Sequence, residues 1–234
     1  MFVKLAKKVN NIYSKLMPAS RQKIFCIGMN KTGTTSLETA FTDLGYKLGN
    51  QNKAEWLLQY YKAGNFEPVI NFCKTARVFQ DFPFSYPGTY LHLDKAFPKS
   101  KFILSVRSNP LQWYNSFLRF YATVFGNGKL PGYNELLNTT YVHQGWMLQA
   151  IQALFKTPDD DIYNAKILMQ RYTDYNNEVI NYFSGREDDL LVINLAKKDA
   201  YKKFCSFLHI NNSPFSEFPW SNKTSDLAGD IAKV

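Results

Sequence analysis

Cysteine and histidine are both scarce, three of each in 234 residues. Cys26, Cys73 and Cys205 are far apart, and no two of them form a CxxC pair. That spacing favours thiols packed in apolar surroundings in a reducing compartment over a disulfide or a metal site. His92, His143 and His209 are equally scattered. No metal-ligand spacing results, and no metal is expected. Long apolar runs are missing too: none approaches the roughly 20 residues that span a bilayer. Residues 1–17, MFVKLAKKVNNIYSKLM, lack the continuous apolar core of a signal peptide. These absences predict a cytoplasmic protein. Neither internal repeats nor low-complexity tracts occur.

What is present is apolar and basic. Hydrophobic residues make up 45% and aromatics 16%, enough for a packed core and too much for a disordered chain. The length suits one domain, residues 23–224, with an N-terminal segment 1–22 and a tail 225–234. The net charge of +9 suits a polyanionic partner, although a solvated basic surface has the same composition. In the N-terminal segment Phe2, Leu5, Val9, Ile12 and Leu16 share a helical face among Lys4, Lys7, Lys8 and Lys15. That helix either packs on the domain or meets a membrane surface through residues 1–17, which would make the protein peripheral.

The most informative stretch is KIFCIGMNKTGTTSLETAFTDLG, Lys23 to Gly45. Ile24 to Ile27 reads as a buried strand ended by Gly28. Asn30, Lys31, Thr32, Gly33, Thr34, Thr35 and Ser36 then form a loop of small hydroxylated residues with one cation. From Thr35 the apolar positions Leu37, Ala40, Phe41 and Leu44 follow helical spacing, and Gly45 stands at the C-cap position. Strand, glycine loop and helix N-terminus bind phosphate, because loop N–H groups and the helix dipole point at the anion. Gly28 and Gly33 keep Walker spacing, but Thr34 occupies the Walker lysine position and the lysine lies ahead of the second glycine.

Further along, Arg77 to Asp81 reads as a strand ending in a carboxylate, and Lys101 to Val106 as a second core strand running into Arg107. Asn109 and Pro110 begin a helix with Leu111, Tyr114, Phe117, Leu118 and Tyr121 on its apolar face. A weak strand at 45–49, a helix over 53–62 and short helices near Glu67 and Tyr90 are also predicted. Gly126 to Asn138 reads as a loop, the candidate lid or acceptor-binding segment. Helices over 139–156 and 159–183, a buried strand over 190–195 and a helix over 200–208 follow. Alternating strands and helices predict an α/β fold, a three-layer sandwich around a central parallel β-sheet with a P-loop-like turn. Ligands in such sheets bind at the carboxyl ends of strands. That places Gly28 to Ser36, Asp81 and Arg107 along one edge.

Lys-Thr-Gly-Thr-Thr-Ser after a strand resembles the 5′-phosphosulfate loop of sulfotransferases that use 3′-phosphoadenosine 5′-phosphosulfate (PAPS). The segment KFILSVRSNPLQWYNSF extends the likeness, in a form similar to a bacterial-type subfamily. In that family an arginine ending a core strand and a serine in the next helix hold the 3′-phosphate. The resemblance implies Arg107 with Ser116 in these roles; Asn115 occupies the commoner spacing. Looser likeness runs through 171–179, 191–193 and 218–224, where it implies that Lys223 can reach the cofactor's phosphates. The implied activity is sulfuryl transfer from PAPS to a hydroxyl or amine of a glycan, lipid or small molecule, leaving adenosine 3′,5′-bisphosphate (PAP). Lys31 would stabilise the leaving oxygen. Many members carry a histidine base where Gln80, Asp81 and Phe82 stand, so Asp81 is the candidate base, with Glu55, His92 and His143 as alternatives.

Two other readings follow from the residues. Asp81 could instead hold Mg²⁺ in a P-loop nucleotide kinase, which the displaced lysine argues against. A non-catalytic PAPS- or polyanion-binding module fits the missing histidine. No nucleic-acid-binding motif occurs, and no nucleic-acid partner is expected.

Overall fold

The computed structural model describes residues 22–219. The predicted amphipathic helix, the 225–234 tail and Lys223 lie outside the described residues. The chain divides into two compact units, one holding residues 22–106 and 180–219 of the described chain, the other residues 107–179.

The first unit is built on four parallel strands: β1 (Ile24–Cys26), β2 (Val78–Gln80), β3 (Lys101–Ser105) and β4 (Leu190–Ile193), in the order β2-β1-β3-β4. Ile24 pairs with Val78 on one side and Lys101 on the other, so β1 is central. Alternation along the strands sorts their side chains into two layers. Ile24, Cys26, Val78, Ile103 and Ile193 face one way and pack with Leu37, Ala40 and Phe41 of helix α1 (Thr34–Asp43). Tyr201 and Phe204 of a later helix (Ala200–Phe207) complete that layer. Phe25, Phe79 and Phe102 face the other way. Phe25 is fully buried, its ring centroid 5.7 Å from Phe79, 5.9 Å from Phe97 and 5.4 Å from Phe102. Helices therefore cover both faces of the sheet, as predicted.

Between β1 and β3 the connections are short helices: α2 (Gln51–Glu55), α3 (Leu58–Lys62), α4 (Glu67–Phe72) and α5 (Thr89–Ala96). The predicted helix over 53–62 is thus two helices. The segment at 45–49 is not a strand: it makes one isolated bridge, Leu48 to Val78. β4, expected to be buried, is an edge strand of the sheet, as β2 is on the other side, and Val192 is 42% exposed.

The second unit is helical, with α6 (Pro110–Phe125), α7 (Tyr133–Asn138), α8 (Trp146–Phe155) and most of α9 (Ala165–Tyr182). The helix starting at Ala200 is α10. The Asn109 side chain caps α6, accepting from the Gln112 N–H at 2.8 Å. The segment read as a loop contains α7, whose Leu136 is fully buried. The two long helices are shorter than predicted. Gly145, at φ 74°, delays α8, and Asn164 caps α9 by accepting from the Ile167 N–H at 2.9 Å. Its role as a cap escapes notice when apolar periodicity alone sets the boundary.

Phe25→Ala is expected to cost roughly 3–5 kcal/mol, since it empties the centre of one packed face. A lowered urea midpoint with unchanged slope would show it.

Candidate active site

The turn after β1 is pressed against β3. A Cβ on Gly28 would lie 2.2 Å from Ser105 Oγ and 2.4 Å from Ser105 O, so only glycine fits. Thr32, 1% exposed, donates its hydroxyl to Met29 O at 2.6 Å. Its single proton is thereby used, so Ser105 Oγ donates to Thr32 Oγ1 across 2.7 Å. The Thr32 hydroxyl thus serves the loop itself. Ser105, which the sequence reading passed over, ties that loop to the sheet; its place in a strand gave no signal.

Lys31 (φ 69°) and Gly33 (φ 108°) both take the left-handed conformation. Gly33 is the N-cap of α1 and no side chain caps that terminus. A left-handed turn that leads into a helix N-terminus is a backbone arrangement that favours an anion. Asn30, Lys31, Thr35 and Ser36 are partly exposed around it, while Thr34 is buried. The residues present therefore suit the phosphate end of a nucleotide.

Asp81 follows β2 with φ 57°, a region aspartate and asparagine tolerate better than most residues. Its Oδ2 accepts from Thr34 Oγ1 at 3.3 Å, so the predicted base and a loop hydroxyl meet. Burial lifts the Asp81 carboxyl above the ordinary aspartate range; Lys31, the Phe82 N–H and Thr34 pull it back down. The Tyr86 hydroxyl is pushed well up by burial and by the Asp81 charge. The alternatives to Asp81 have these surroundings. Glu55 is 9% exposed on α2. His92 stacks on Phe66, ring centroids 3.8 Å apart, and burial and Lys95 lower its imidazole. His143 Nδ1 is 2.9 Å from Gln144 O.

In the second unit, Arg107 precedes α6. Its N–H donates to Tyr172 Oη at 2.9 Å, and the Tyr172 ring stacks on Trp113 at 4.6 Å. This anchors the arginine backbone. Burial lowers the guanidinium below its ordinary value, Tyr172 raises it, and the like charge of Arg119 lowers it further. An arginine remains cationic under such shifts. Ser116 is half-buried on α6 whereas Asn115 is exposed, and Arg119 lies one turn beyond Ser116. Arg119 was missed because a lone exposed arginine on a helix has no distinguishing pattern.

Among the described residues no group of three His, Cys, Asp or Glu side chains forms a metal-ligand cluster, and no helix is long and apolar enough to cross a membrane.

The sulfotransferase-domain family model matches residues 23–227, from the first residue before β1 to beyond the described chain. The protein belongs to the sulfotransferase family, and sulfuryl transfer is its class of reaction. No curated protein matches the chain significantly.

The Asp81 shift gives a stability prediction. A carboxyl whose folded value is raised binds its proton more tightly in the folded state. Its ionisation therefore opposes folding, and stability falls as pH rises from the unfolded to the folded value. Asp81→Asn, which keeps an acceptor and tolerates φ 57°, is expected to melt above the wild type at pH 7. The two melting curves should converge in acid, as thermal denaturation across pH would show.

Proposed function

We propose that this protein transfers a sulfuryl group from PAPS to a hydroxyl or amine on a glycan, lipid or small molecule, leaving PAP. The observation that carries this reading is Lys31, ahead of the second glycine, held left-handed beside the uncapped N-terminus of α1. Bound PAPS supplies a sulfuryl group on a 5′-phosphate. Lys31 and the first-turn N–H groups of α1 offset the charge that grows on the phosphate oxygen, which is most effective from preorganised dipoles. The hydroxyls of Thr35 and Ser36 add donors. In the second unit Arg107 forks two N–H donors onto the 3′-phosphate, assisted by Ser116 and Arg119. Asn30 and Lys223 complete the cofactor contacts. Asp81 receives the acceptor's proton, and its raised carboxyl makes it a better base than a solvated aspartate.

Family membership supports this reading over a nucleotide kinase. Residues 1–17, basic and amphipathic, would hold the protein at an anionic membrane surface on the cytoplasmic side.

Calorimetry is expected to show PAP binding well above ADP or ATP·Mg²⁺. Arg107→Ala should weaken PAP by roughly 10-fold or more, since each of its two charge-assisted hydrogen bonds is worth about 1.5–3 kcal/mol. Preference for ATP·Mg²⁺ would overturn the assignment. Lys31→Ala should slow PAP release from PAPS by roughly 10²- to 10³-fold, the effect typical of a lost transition-state donor. Chromatographic assay of PAP measures it.

A further inference from the structure

The two glycines of the loop meet the ends of different strands. Gly28 lies against Ser105, the last residue of β3. Gly33 lies against Leu195: a Cβ there would stand 2.3 Å from Leu195 Cδ1 and 3.6 Å from its Cγ. Ser105 is paired with Ile193, the last residue of β4, and the Val106 N–H donates to Ile193 O at 2.8 Å. Leu195 follows closely on that pair, so neighbouring strand ends hold the two glycines. Asn194 turns the chain between them. Its Oδ1 accepts from the Ala196 N–H at 3.1 Å, and its carbonyl accepts from the Lys197 N–H at 3.0 Å. Leu195 is partly buried and packs on the core layer that holds Ile24, Leu37 and Ile193. It therefore joins that layer to the loop, with one methyl in the space left by the missing side chain of Gly33.

This contact falls where the loop becomes helix. Gly33 is the left-handed N-cap of α1, and its carbonyl accepts from the Leu37 N–H at 3.1 Å. Glycine by itself takes either sign of φ with similar ease. No side-chain hydrogen bond caps the terminus, so none selects the left-handed form. A methyl packed onto the Cα does select it, because other backbone arrangements would open a gap or clash.

We propose that Leu195 is a positioning residue for sulfuryl transfer: it holds Gly33 left-handed, and so sets the direction of the first turn of α1 and the place of Lys31 before the cofactor binds. The proposal rests on the reading of this loop as the phosphate end of the PAPS site. Leu195 acts through Gly33 and carries no chemistry of its own. Donors and dipoles stabilise developing charge best when they are already oriented, and a small displacement of such groups slows the reaction. An apolar side chain suits the task, since it fixes the loop without offering a donor or acceptor that would compete with the anion.

The test uses the full chain with Leu195→Ala, the milder Leu195→Val, and Leu195→Met, which keeps the volume and a methyl at similar reach. At saturating PAPS, PAP release is expected to slow by roughly 10-fold or more in Leu195→Ala, with the half-saturating PAPS concentration changed far less. Leu195→Val should fall between, and Leu195→Met should restore the rate. A role in packing alone would lower the urea midpoint and leave the rate of the folded protein unchanged, and that result would overturn the proposal. Gly33→Ala adds a readout that needs no nucleotide. Its new methyl must displace Leu195, so it is expected to lower the urea midpoint less in the Leu195→Ala background than in the wild type. Equal shifts in the two backgrounds would also count against Leu195. If the wild type neither binds PAP nor releases it from PAPS, the donor assignment fails, and the Gly33–Leu195 cycle still decides whether Leu195 holds the turn.

Discussion

The contact between the Gly28 turn and Ser105 is the constraint on which the rest of the first unit's site depends. Glycine alone allows the turn after β1 to lie against the end of β3, and the Thr32–Ser105 hydrogen bond holds it there. With that turn anchored, Lys31 and Gly33 can take left-handed conformations without the loop unravelling. The positive end of the α1 dipole then lies at that turn. Parallel pairing on both sides of β1 brings β2 alongside, so Asp81 reaches the same helix.

The site arranges charge of both signs on a small number of elements. A cation and a helix N-terminus attract an anion, while two carboxyls beside them are raised in part because burial disfavours their ionised forms. Such groups reduce folding stability, and carboxyls perturbed in this way cluster at functional sites. In the second unit the like charges of Arg107 and Arg119 also oppose each other, and an anionic ligand would relieve that repulsion. A chain that accepts local electrostatic cost at these places has residues suited to sulfuryl transfer, in agreement with its family.

Much was legible from sequence because the signals were local. Lys31 and the two flanking glycines mark the turn after β1 by spacing alone, and Asn109 with Pro110 marks the start of α6 through capping chemistry that needs no distant partner. Phe25, Phe79 and Phe102 belong to strands whose apolar runs announce burial. The misread boundaries depend on neighbours instead. The helix within the 126–138 segment is stabilised by burying Leu136, and three glycines and a proline conceal it. β4 reads as buried because its residues are apolar, yet its place in the strand order leaves Val192 exposed.

By itself the sequence determined the α/β class and singled out the glycine loop with its displaced lysine, Arg107 and Asp81 as residues of interest, since each follows from residue type and spacing along the chain. Only the tertiary structure decided that Ser105 anchors the loop, that the Thr32 hydroxyl is used internally, and that Gln80 and Glu38 stand beside Asp81. The Ser105 and Glu38 relations join positions 73 and 42 residues apart, and the placing of Asp81 turns on one left-handed residue at the end of a strand. Hydrogen bonds and burial between distant segments arise from packing, and no periodicity in the chain encodes them.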